Sequence, residues 1–163
     1  MNQRHSFIEK IATKLSPKFQ IIELSLTAVI IVSATLNYFT DRIIDPVFTF
    51  TIGLLSTFYF LKAFAINEEV MENTKATLVG KLSGLGLAVL ILGILFSFNH
   101  YPGNGQMLFF GTATSLIIMF YTLFNKSDIP GLRKYYHPIF IRSLIYGSIG
   151  VIVILHQYQL INF

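Results

Sequence analysis

The chain has 163 residues, 53% of them hydrophobic and 12% charged, where an ordinary soluble domain carries about 25% charged residues. That leaves too little polar surface to cover a soluble globule, and the apolar residues come in long runs, so the composition points to a membrane protein. Cysteine is absent, which excludes disulfides, thiolate metal sites and a cysteine nucleophile, and the formal net charge is +4.

The N-terminal segment, residues 1–18, holds Arg4, Lys10, Lys14 and Lys18 and no continuous apolar run, so no cleavable signal peptide is expected. Ser6-Phe7-Ile8-Glu9 fits a capping box, with Ser6 as N-cap and Glu9 reaching back to it. Phe7, Ile8, Ile11 and Leu15 then share one helical face, Lys10 and Lys14 lie off it, and Pro17 stops the helix. The pattern predicts a short basic amphipathic helix within 1–18 that lies on the membrane surface.

Residues 19–163 read as a single transmembrane bundle. Five apolar segments are predicted over 21–39, 46–66, 82–98, 106–124 and 139–158, each near the ~20 residues needed to cross a bilayer as a helix. The second opens at Asp45-Pro46, an N-cap followed by proline in the first turn. The fifth contains Arg142. With the N-terminus inside, eleven of the twelve basic residues fall on the inner side, and only Arg42 falls outside. This bias predicts five spans, a cytoplasmic N-terminus and an external C-terminus.

Tyr38, Tyr101 and Tyr158 fall at the outer ends of their spans, and Tyr121, Tyr135 and Tyr136 near the inner boundary, as an aromatic belt. Pro102-Gly103 and Ile129-Pro130-Gly131 suit tight turns. The longest connection is predicted over 67–81, where Glu68, Glu69 and Glu72 extend the preceding helix and Glu72 pairs with Lys75. Spans one–two and three–four form a weak repeat of two hairpins, with Gly53 and Gly111 at comparable depths. Small residues mark where helices approach closely: Gly53 and Thr57; Gly80, Gly84 and Ala88, with Gly86 and Gly93 on another face; Gly111 and Ser115; and Ser143, Gly147 and Gly150.

The ionisable residues within the apolar segments are Glu23, Lys62 and Arg142. Each lies about one turn from the inner end of its predicted span. Two arrangements are open to them: snorkelling to the interface, or a buried ion pair at the inner mouth of the bundle. His100 and His156 belong at the outer boundary. As a metal or haem pair they lack a supporting carboxylate, and His5 and His137 show no metal spacing. No GxSxG, HExxH, phosphate-loop or dinucleotide motif is present. No catalytic residue, cofactor or metal is expected, and no nucleic acid.

The stretch 81–124 carries Gly84 and Gly86 on its first helix, His100-Tyr101-Pro102-Gly103 at its turn and Gly111 on its second helix. It resembles the transmembrane hairpin of GldL-like proteins, the inner-membrane stator subunits of bacterial gliding motility and type IX secretion. The resemblance implies a helical hairpin and a bacterial inner (cytoplasmic) membrane. The chain departs from the family in two places: Tyr101 stands where tryptophan is usual, and Ser115 stands where the motor subunits carry a membrane-embedded glutamate. The leading expectation is therefore a non-enzymatic accessory or assembly subunit acting through helix–helix contacts, in the lipid bilayer, as a homo-oligomer or with other membrane subunits. A small oligomeric transporter or channel, with Thr112, Thr114 and Ser115 as its polar lining, is the alternative. A stator-like subunit is a further one, by resemblance.

Overall fold

The structure is a computed structural model that describes residues 7–39, 45–65, 74–124 and 130–158, the side chains of 37–39 and 130–134 excepted. Every regular element among the described residues is helical. They are α1 (Phe7–Leu15), a 3₁₀ turn (Ser16–Lys18), α2 (Phe19–Phe39), α3 (Asp45–Ala63), α4 (Thr74–Phe98), α5 (Asn104–Phe124) and α6 (Pro130–Gln157). Five helical stretches are long and apolar enough to cross a membrane. That is the architecture of a multi-pass membrane protein, and it follows from the sequence's long apolar runs because only internally hydrogen-bonded helices or closed barrels satisfy the backbone in lipid.

From α2 onward consecutive helices pack each on the next as antiparallel neighbours, and α6 returns onto α4. α4 is the centre. Its Leu87, Ala88 and Ile91 are buried, and with Ile52, Leu55 and Tyr59 of α3 they form the main core. Small residues on α4 let two neighbours approach at once. A Cβ on Gly84 would lie 2.8 Å from the backbone of Ala63 in α3, and one on Gly93 would lie 2.7 Å from the Leu108 amide nitrogen in α5. From the facing side, a Cβ on Gly111 would lie 2.5 Å from the backbone of Leu90. Ser56 adds a hydrogen bond between helices, donating to the Ala88 carbonyl at 2.9 Å. The small residues thus serve contacts within this chain, with two exceptions: nothing lies within 4 Å of a Cβ on Gly53, and Thr57 is exposed, donating to the Gly53 carbonyl of its own helix. The two glycines matched in the hairpin repeat are not equivalent in packing.

The helices outrun the apolar segments. α4 begins at Thr74 and α6 at Pro130, each about two turns before the predicted span. Polar residues such as Lys75 and Lys81 continue a helix beyond the apolar zone without strain, and hydropathy does not register them. Pro130-Gly131 is therefore the first turn of α6 and not a loop turn, which proline at a helix start permits. Pro138 lies inside α6. Pro17 does end α1 at Leu15, but the 3₁₀ turn passes directly into α2. Ser6, Arg42, Glu68, Glu69, Glu72 and the side chain of Tyr38 lie outside the described residues.

The α4–α5 connection is the best-defined turn. His100 adopts φ +53° and Gly103 φ +84°. The Tyr101 amide donates to Phe96 O at 2.8 Å and the His100 amide to Ser97 O at 3.2 Å. The Tyr101 and Phe96 rings meet edge-to-face at 5.4 Å. This is a Schellman cap, with histidine at the left-handed position usually given to glycine. Pro102 and Gly103 then lead into α5. There the Asn104 Oδ1 accepts from the Gly105 amide at 2.6 Å and from Gln157 Nε2 of α6 at 3.1 Å.

Candidate functional site

The antiparallel order brings the start of α2, the end of α3, the start of α4 and the first half of α6 to one end of the bundle. Spacing places the key groups on facing surfaces. Tyr59 and Lys62 are three apart on α3, and Arg142 and Tyr146 are four apart on α6, so each pair shares a helix face. Glu23 sits one turn into α2.

Arg142 grips Glu23. Its Nε lies 2.8 and 2.9 Å from the two carboxylate oxygens, and its Nη2 lies 2.6 Å from Oε2. Tyr59 donates its hydroxyl to Oε1 of the same carboxylate. Both charged side chains are 15% exposed, so the pair is largely removed from its surroundings and is held by charge-assisted bonds on both oxygens. Of the two arrangements open to these residues, the structure shows the ion pair. The Arg142 guanidinium ends on Glu23.

Lys62 is not part of that pair. Its Nζ stands 5.5 Å from the centre of the Tyr59 ring and 5.9 Å from that of Phe19, a cation–π arrangement. The rings are themselves braced: Phe19 packs edge-on to Phe58 at 4.7 Å, and Tyr59 edge-on to Tyr146 at 5.6 Å. Among the described residues no carboxylate forms an ion pair with Lys62.

A cavity of about 310 Å³ opens beside these groups, at the small end of the ~300–1,000 Å³ typical of ligand sites. Lys62 and Arg142 line it, with Gln20, Tyr59, Ser83 and Tyr135 as neutral polar groups and Gly80 and Gly84 on the α4 side. Glu23 is not part of the wall. With Arg142 and Glu23 cancelling, the cavity faces one uncompensated positive charge. It can hold an anion, and it offers no free carboxylate as a general base.

The remaining predicted residues lie elsewhere. Gly84 reaches the cavity, but Gly111 and Ser115 belong to the α4–α5–α6 packing. Thr112 and Ser115 are buried beneath Gly150 and Gly147 of α6, whereas Thr114 faces Gly86 of α4 and donates to Phe110 O at 2.8 Å. They do not form one lining within the chain. Tyr136 is buried and Tyr135 lies over Gly80, so both pack into the protein and are not part of a lipid-facing belt. His100 acts through its backbone at the cap, and Pro102 and Gly103 through the turn. Among the described residues no cluster of His, Asp or Glu is arranged to hold a metal.

Sequence reasoning missed Tyr59, Gln20 and Ser83. The spacing of Tyr59 to Lys62 was available as a signal. The convergence of α2, α4 and α6 on that face was not. Comparison with protein families, with curated proteins and with solved structures finds no match.

Proposed function

We propose that this chain is a non-enzymatic multi-pass protein of the bacterial inner membrane, with a cytoplasmic N-terminus preceding the bundle, that binds a small anionic ligand in the cavity beside Lys62. The observation that carries the reading is the cavity wall: two cationic side chains, no carboxylate, and the one nearby acid already consumed by Arg142 and Tyr59. The basic loops support the orientation, and the amphipathic pattern of Phe7, Ile8 and Ile11, all exposed in α1, supports its lying on the membrane surface. A site of this kind suits a small carrier or a ligand-regulated subunit.

The test is thermal unfolding of the purified chain against a panel of small anions, with matched cations and neutral compounds as controls. A ligand that binds the folded state raises the midpoint in a concentration-dependent way. At least one anion is expected to do so, and to lose the effect in Lys62→Met. A panel in which no anion stabilises the protein sinks the reading.

A second reading, an accessory or assembly subunit acting through helix contacts, is favoured by α2. It packs along α3 and meets α6 through the Glu23–Arg142 pair, and it leaves Ile21, Leu24, Ile31 and Val32 exposed. The chain has no cysteine, so Val32→Cys is a unique crosslinking handle in native membranes. A single defined protein partner captured there supports this reading, and recovery of uncrosslinked chain alone counts against it. A stator-like role has less support, because the carboxylate of Glu23 is engaged and position 115 is serine.

A further inference from the structure

The four helices around the cavity offer donors from four directions. Resting on the anion reading above, we propose that the ligand group is a phosphate, carried on an anionic lipid headgroup or free in solution, with Lys62 as its direct contact and Arg142 as the second cation.

Lys62 comes from α3 and presents a compact charge with three rotatable donors, a form of cation well suited to phosphate oxygens. Its ammonium rests over the Phe19 and Tyr59 rings with no carboxylate of the described residues to neutralise it. Arg142 comes from α6. Glu23 takes its Nε and Nη2, and Nη1 has no partner among the described residues. The carboxylate thus fixes the guanidinium of this cavity-lining residue while leaving it donor capacity. Gln20 from α2 and Ser83 from α4 add neutral donors, and Ser83 is itself 6% exposed.

A planar carboxylate accepts bonds mainly within one plane. A tetrahedral phosphate accepts from donors that converge from several directions, which is what α2, α3, α4 and α6 supply. On the α4 side glycine lets the neighbouring elements close in around the cavity. A Cβ on Gly80 would strike the Tyr135 hydroxyl, and one on Gly84 would strike the Ala63 backbone. The cavity lies at the bundle end where α2 and α4 begin, the end that also bears Lys18 and Lys81, and clusters of basic side chains of this kind attract anionic headgroups.

Native mass spectrometry of the full chain, stripped of lipid in detergent, tests this. The protein is offered phosphatidylglycerol, inorganic phosphate or a single-chain fatty acid in turn. A phosphate-bearing ligand is expected to bind, about tenfold or more weakly in Lys62→Met. Lys62→Arg should keep most of the affinity, and the control Lys10→Met, at an exposed lysine of α1 outside the cavity wall, all of it. Binding of phosphatidylglycerol alone identifies the lipid source, and binding of inorganic phosphate identifies the free one. Lys62-dependent binding of the fatty acid without either phosphate overturns the phosphate assignment and leaves the anion reading standing. The absence of any Lys62-dependent anion overturns both. If Lys62→Met does not fold, Gln20→Leu and Ser83→Ala probe the same wall, and unchanged phosphate binding in both overturns the assignment.

Discussion

Glu23 and Arg142 stand 119 positions apart in the chain, yet Arg142 Nε lies 2.8 and 2.9 Å from the two oxygens of Glu23. The pair ties α2, the most peripheral of the spanning helices, to α6, the last. Tyr59 of α3 donates to the same carboxylate, so three helices meet at one acid.

Removing one partner leaves the other charge without compensation in a largely closed site, which costs about 3 kcal/mol when an ion pair is buried. Glu23→Gln and Arg142→Met are each expected to destabilise the protein on that order. The double variant is expected to be less destabilised than the sum of the two. Denaturant or thermal unfolding of all four proteins in one detergent completes the cycle. Strict additivity would show that the pair contributes no coupling.

Gly111 and Gly53 separate packing from helix propensity. A Cβ on Gly111 must displace the backbone of Leu90, and overpacking of this kind costs about 1–3 kcal/mol. Gly111→Ala is therefore expected to lower the unfolding midpoint clearly. Gly53→Ala meets nothing within 4 Å and is expected to be neutral or to stabilise by up to about 1 kcal/mol. Equal effects at the two positions would refute the packing of α4 on α5.

His100 holds a left-handed backbone conformation, φ +53°, in the cap of α4. A residue with a Cβ pays about 1 kcal/mol there. His100→Gly is expected to raise stability by about that amount, and His100→Val, with its branched Cβ, to lower it. A loss of stability in the glycine variant would show that the imidazole itself holds the turn.

Thr112, Ser115 and Ser143 are buried, and their hydroxyls have no hydrogen-bond partner among the described residues. A buried hydroxyl that makes no bond contributes nothing to offset its desolvation. Ser143→Ala is accordingly expected to leave stability within about 1 kcal/mol of the parent or to raise it, as read by thermal unfolding. A marked loss would place an ordered water or an unseen acceptor at that seam.

Much of this architecture was legible in the residues. The apolar runs predicted five helices long and apolar enough to span, and five are found, because a bilayer demands about 20 consecutive apolar residues whatever the neighbours are. The starts of α4 and α6 were not legible, because a helix continues into polar sequence for as long as its backbone bonds remain satisfied. Small residues such as Gly84 and Gly111 advertised close contacts. They did not name the partner, because a glycine permits an approach without choosing it.

The candidate site divides in the same way. Sequence alone singled out Glu23, Lys62 and Arg142, because charge inside an apolar segment is costly and therefore conspicuous. Whether they snorkel or pair depends on how far each stands along its helix and on which helix faces it, and neither quantity is local. Only the closed bundle decided that Arg142 spends itself on Glu23, that Tyr59 joins them, and that Lys62 is left facing a cavity. These outcomes come from α6 folding back onto α4, a long-range arrangement in which Gly80 of α4 makes room for Tyr135 and Gly150 of α6 lies against Leu90 and Thr112.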